Sequence, residues 1–179
     1  MVALYQSGEM TKTEQACREL LQIYPQTLIV MNVLGGALSG QGKLQEAVQV
    51  FDKAIQLKPD YPGVYYNRGL ALHALGRLDE ALKSYDKAIQ LKPDYANAYH
   101  NRGVALEHLG QLNEALKSFD KAIQLKPDYA EAYSNLGDVY LRQGLRKKGL
   151  RMKRFGEHVI SFNTSSGINI LGRNENESN

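Results

Sequence analysis

Three histidines, His73, His100 and His108, with Glu107 next to the last, are the side chains best suited to hold a metal ion or to move a proton. Their spacing argues against a shared ion. His100 and His108 are eight residues apart, which on a helix rising ~1.5 Å per residue separates them by about 12 Å. No metal and no cofactor is therefore expected, and these residues, with Tyr66, are read as hydrogen-bonding or stacking groups. The chain has no glycine-rich phosphate loop, no nucleophile elbow and no carboxylate pair at a recognisable spacing, so no enzyme activity is expected. Its single cysteine, Cys17, cannot close an internal disulfide and should pack as a small hydrophobe. What recurs is amide chemistry: Asn67, Asn101 and Asn135 follow one another at a constant interval. Each amide offers two donors and an acceptor, enough to bond the main chain of an extended peptide without reading its sequence. The same recurrence fits bonds to a neighbouring helix.

The elements that must position these groups repeat at that same interval. The heptapeptide IQLKPDY begins at Ile55, Ile89 and Ile123, and Pro62 to Tyr95 matches Ala96 to Tyr129 at 24 of 34 positions. A unit begins with a helical stretch such as Tyr65 to Leu75, ended by Gly76, and a second stretch runs from Leu78 to Leu91 before Pro93. Glycine provides a left-handed stop without steric cost, and proline cannot continue the second helix. Each unit therefore reads as a helical hairpin whose apolar faces need a neighbour. Small residues recur at fixed places, Gly35, Gly69, Gly103 and Gly137 in the first helix and the pairs Ala47/Ala54, Ala81/Ala88 and Ala115/Ala122 in the second. Their bulky partners in the pattern are Met31, Tyr65, Tyr99 and Tyr133, then Phe51, Tyr85 and Phe119, which are expected to fill the space between neighbouring hairpins.

This order of aromatic, glycine, apolar, alanine, aromatic, alanine and proline within each unit, together with the unit's length, resembles the tetratricopeptide repeat. The resemblance covers residues 28–61, 62–95 and 96–129 as full units, 1–27 as a partial one and 130–156 as a degenerate unit with a capping helix. It implies an all-α fold, a right-handed α-solenoid whose concave wall is lined by the first helices of the hairpins. It further implies that Asn67, Asn101, Asn135, Tyr66, His73, His100, Glu107 and His108 face a peptide-binding groove. The family's two-carboxylate clamp is not expected, because Asn32, Gly36, Asn97, Asn101, Glu131 and Asn135 stand where its polar and basic set belongs, so that only its asparagine member is met. The expected function is a scaffold or adaptor that captures a peptide or helix of a protein partner. The alternative is a substrate-presenting module of a larger or neighbouring enzyme of glycosyltransferase, sulfotransferase or oxygenase type.

Two departures from the pattern carry expectations of their own. Arg68 and Arg102 replace an apolar residue that Leu34 and Leu136 keep; their stems should pack while the guanidinium groups reach water or an acidic neighbour, a reading preferred to the alternative that they contact a ligand. In the last unit Gly149 and Gly156 replace alanine and Lys153 replaces the aromatic, so Leu145 to Phe155 reads as a cap with Arg151, Lys153 and Arg154 turned to water. Arg142 to His158 holds seven basic residues against Glu157, leaving 15 basic and 18 acidic residues elsewhere within a net charge of +3. A solvated cap is preferred to a nucleic-acid or anionic-membrane patch, since no aromatic residues interleave the basic ones. Beyond it, His158 to Phe162 and Ile168 to Leu171 suggest a short β-hairpin in the segment 157–179, whose tail is expected to be disordered. With no apolar run near ~20 residues and no export signal at the N-terminus, the chain is expected to be cytoplasmic. The short first unit leaves apolar helix surface that could pair with another copy.

Overall fold

The computed structural model describes residues 1–165, and the regular structure among them is entirely helical. The chain divides into two compact units, one from Met1 to Pro127 and one from Asp128 onward. The first contains α1 (Val2–Gln6), α2 (Met10–Ile23), α3 (Leu28–Gly40), α4 (Leu44–Leu57), α5 (Pro62–Ala74), α6 (Leu78–Leu91), α7 (Ala96–His108) and α8 (Leu112–Leu125). The second contains α9 (Ala130–Arg142) and α10 (Arg146–Ser165). In the first unit α3/α4, α5/α6 and α7/α8 pair as antiparallel hairpins. Each hairpin packs on the next through α4 against α5 and α6 against α7.

The turns follow from glycine. Gly8, Gly42, Gly76, Gly110 and Gly144 recur once per repeat, and all have φ between 74° and 80°, the left-handed region that a side chain disfavours. At the turn of the α5/α6 hairpin the amide of Arg77 donates to Leu72 O at 2.9 Å, closing the last turn of α5 over the glycine. Helix α5 begins at Pro62, earlier than the stretch expected to be helical, with proline in its first turn where no amide is needed.

The core lies where the large and small residues of the repeat meet. Phe51, Tyr85 and Phe119 are fully buried, each on the second helix of a hairpin and over a glycine of the first. A Cβ on Gly35, Gly69 or Gly103 would lie 2.4, 2.5 or 2.7 Å from the ring of Phe51, Tyr85 or Phe119, so the ring takes the space a side chain would need. The alanine pairs of α4, α6 and α8 are all fully buried and let helices approach closely. Cys17 is buried with them, as expected for a small hydrophobe.

Tyr85 differs from the two phenylalanines at its register by a hydroxyl that is buried without a hydrogen-bond partner. Burial pushes its pKa up strongly. An unpaired buried hydroxyl costs about 1–3 kcal/mol. Tyr85→Phe is therefore expected to raise stability by about 1 kcal/mol, which urea denaturation would read as a higher midpoint at unchanged slope.

Arg68 and Arg102 behave as aliphatic stems with anchored heads. Arg68 Nε meets Asp52 Oδ1 at 2.6 Å and its Nη1 donates to Ser84 Oγ at 2.7 Å, tying α5 to both α4 and α6. Arg102 repeats the arrangement with Asp86 and Ser118 at 2.6 and 2.7 Å. The acidic neighbour belongs to the preceding hairpin. These pairs are partly solvated, so each is worth at most ~1 kcal/mol and acts more on orientation than on stability.

In the second unit α9 and α10 touch backbone to backbone. A Cβ on Gly137 would lie 2.8 Å from Gly149 O, one on Gly149 2.8 Å from Gly137 O, and one on Gly156 2.8 Å from Ala130 O. Two expectations need correction here. Lys153 does not turn wholly to water. Its stem occupies the slot of the missing aromatic, with Cγ 2.6 Å from a Cβ built on Gly137, while Nζ bonds Asp138 Oδ1 at 2.5 Å. The hairpin expected after the cap is not supported either. His158 to Phe162 continue α10, which runs to Ser165, and Ile168 to Leu171 lie outside the described residues. Strand preference is weak and context-dependent, whereas adding residues to an existing helix requires no new nucleus. Arg151 and Arg154 are exposed, as a solvated cap requires.

Candidate binding face

Successive first helices of the hairpins meet along one line, and the polar contacts between them join residues separated by 35 in the sequence. Asn67 Nδ2 on α5 donates to Asn32 Oδ1 on α3 at 2.9 Å. Asn101 Nδ2 on α7 donates to Tyr66 OH on α5 at 3.0 Å, and also to Asn97 O at 3.0 Å. His73 on α5 meets His108 on α7, Nε2 to Nδ1, at 3.2 Å. The three contacts form a polar seam across α3, α5 and α7. The seam uses one donor of each asparagine on a neighbouring helix, so part of the recurrence has a structural cause. Among the described residues no protein donor engages the side-chain oxygens of Asn67 and Asn101, which are left able to accept.

Aromatic surface flanks the seam. The Tyr66 ring lies 4.9 Å from that of Tyr95 and 6.2 Å from that of Tyr85, both tilted. Burial raises the Tyr66 hydroxyl above its ordinary pKa, with the Asn101 amide acting the other way. Burial and the neighbouring Tyr66 and Tyr61 push Tyr95 up to about 12. Both phenols are therefore neutral donors and acceptors throughout the physiological range. Leu70 is exposed on the same helix as Tyr66.

The sequence-predicted residues do not all come together. Asn67, Asn101, Tyr66, His73 and His108 share the seam. His100 instead turns its ring to Phe119 of α8 at 5.8 Å, inside its own hairpin, half-buried. Glu107 precedes His108 on α7 and is half-buried, and Asn135 lies half-buried on α9 of the second unit. The contact that sequence reasoning missed is His73 with His108. Comparing histidines within one helix could not reveal it, because the pair is made by the offset between helices. No group of three or more metal-ligating side chains is found among the described residues. None of the described helices is long and apolar enough to cross a membrane.

Comparison with known proteins agrees with this architecture. The chain is similar to MamA, whose crystal structure superposes with a TM-score of 0.84 at 22% identity, covering 92% of this chain and 96% of that one. A MamA from Desulfovibrio magneticus RS-1 (41-end) gives a TM-score of 0.83 at 22% identity, covering 92% of each chain. YrrB, described as a TPR protein with an unusual peptide-binding site, gives 0.73 at 23% identity, covering 88% of this chain and 81% of that one. At these identities the likeness speaks for the fold. No curated protein matches the chain. The sequence pattern of the TPR repeat matches residues 36–76, 69–110 and 108–144, more than half of the length, and the chain belongs to the TPR repeat family.

Proposed function

We propose that this protein is an interaction scaffold whose first-helix face on α3, α5 and α7 captures an extended peptide segment of a protein partner. The observation that carries the reading is the polar seam. Asn67 and Asn101 are held by neighbouring helices through their donors, which fixes their side-chain oxygens as pre-positioned acceptors for peptide amides. Pre-positioning matters because immobilising a free side chain on binding costs about 0.5–1.5 kcal/mol. Tyr66 and the exposed Leu70 add apolar contact beside the row, and main-chain bonding makes capture tolerant of peptide sequence. Asn135 on α9 offers the same amide chemistry, and His73, His108, Glu107 and His100 supply the side-chain chemistry that would tune preference.

The test is capture of peptides from a randomised display by the full chain, with affinities then read by fluorescence anisotropy. Selected peptides should bind in the micromolar range, ~10⁻⁶ M or about −8 kcal/mol, with little sequence consensus. Alanine at Asn67, Asn101 and Asn135 together should abolish capture while far-ultraviolet circular dichroism stays unchanged. Arg68→Leu, whose side chain bonds between α4 and α6, should leave capture intact. Peptides bound equally well by the triple variant would remove the reading.

A further inference from the structure

The facing histidines allow a conclusion of a different kind. His73 Nε2 and His108 Nδ1 are 3.2 Å apart, and their ring centroids are 5.1 Å apart with planes inclined by 20°. A nitrogen separation so much shorter than the centroid separation means that the rings meet edge to edge through these two atoms. Neutral imidazoles in this arrangement share one proton, donor on one ring and acceptor on the other. An ion held at about 2.0–2.1 Å from each nitrogen would see that separation under an angle of about 100°. That lies between the octahedral and tetrahedral values. A modest turn of each ring about χ2, a broad torsion, points both lone pairs at a common centre.

We propose that His73 and His108 form a two-imidazole site for a divalent transition-metal ion of borderline softness, Zn²⁺, Ni²⁺ or Cu²⁺, with water completing its coordination. Imidazole nitrogen selects these ions over the hard Mg²⁺ and Ca²⁺. The site is chelating because its two ligands come from separate helices whose packing is fixed by Asn101 with Tyr66 further along the same pair. It is open, because His108 is exposed. Ligand nitrogens must be unprotonated, so the ion competes with protons for both rings. With two protein ligands the ion exchanges freely rather than serving as a structural centre. The site does not depend on peptide capture, and its readout is the ion alone.

Isothermal titration of the full, tag-free chain with ZnCl₂ or NiCl₂ at pH 7.5 tests this. One equivalent should bind, both His73 and His108 imidazole resonances should shift with diamagnetic Zn²⁺, and CaCl₂ and MgCl₂ should give no binding. His73→Gln and His108→Gln should each weaken binding by roughly tenfold or more while keeping the wild-type circular dichroism, and His100→Gln should bind as wild type. Zinc binding that is absent, unchanged in either glutamine variant, or lost in His100→Gln would overturn the proposal.

Discussion

Phe119→Ala is expected to cost about 3–5 kcal/mol, the range for emptying a buried aromatic site. Phe119 is fully buried and its ring fills the space above Gly103. Collapse cannot refill that space, because the facing residue is already glycine and has no side chain to advance. The reverse change tests the same contact from the other side. A Cβ on Gly103 would lie 2.7 Å from Cε1 and 2.8 Å from Cδ1 of the ring, so Gly103→Ala should overpack it by about 1–3 kcal/mol. In Gly103→Ala/Phe119→Leu the smaller side chain leaves room for the new methyl, and the combined cost should fall short of the sum of the single costs. Urea denaturation of the wild type, Gly103→Ala, Phe119→Leu and the double variant closes the cycle. Additive costs would mean that the ring and the glycine are not the complementary pair described.

Gly149→Ala should be the most damaging small substitution in the second unit. Alanine gains about 0.5–1 kcal/mol over glycine in a helix interior, so an unobstructed site would be stabilised. Here the methyl would meet Gly137 O at 2.8 Å and Leu141 Cγ at 2.7 Å, and a carbonyl within a helix cannot turn away as a side chain can. The clash should outweigh the propensity gain, leaving a net loss of about 1–3 kcal/mol. Gly149→Ala/Gly156→Ala closes both backbone approaches and should release α10 from α9. Hydrogen exchange reads this directly as loss of protection along α10 while α3 to α8 keep theirs. Gly40→Ala is the control. The nearest atoms to its methyl would be those of the flexible Met10 side chain at 3.1–3.4 Å, and this variant should be neutral or stabilised. Equal effects at Gly40 and Gly149 would refute the close approach of α9 and α10.

Local rules made much of this fold legible. The five turn glycines can be placed from period alone, because a left-handed residue after a helix has few alternatives. That Phe51, Tyr85 and Phe119 are core residues matched by small ones follows from volume, whereas their seat over the glycine of their own hairpin does not. The type of partner for Arg68 is also legible, a stem that packs and a head seeking an acid, although the identity of Asp52 and Ser84 is not. What escapes the sequence depends on register between helices. Nothing in the spacing of His73 and His108 indicates that they meet, because the offset between α5 and α7 is set by packing against intervening α6. Lys153 misleads for a related reason. Its charge outranks its stem on any hydropathy scale, yet the slot over Gly137 accepts an aliphatic chain, and Asp138 receives the ammonium. The length of α10 is hidden because β-branched residues after Gly156 carry a strand preference too weak to stop a helix already under way.

The mismatch between a period of 34 and a meeting distance of 35 has a consequence for how such a chain tolerates its own duplication. Were the two numbers equal, every copied side chain would confront its own copy across the seam, arginine against arginine and glutamate against glutamate. One step of slippage instead sets Asn67 against Asn32 and Asn101 against Tyr66, so each copy is presented to a residue of independent ancestry. Near-identical units can then accumulate without stacking like charges, and a later substitution in one unit changes a single heterologous contact rather than a clash with its twin.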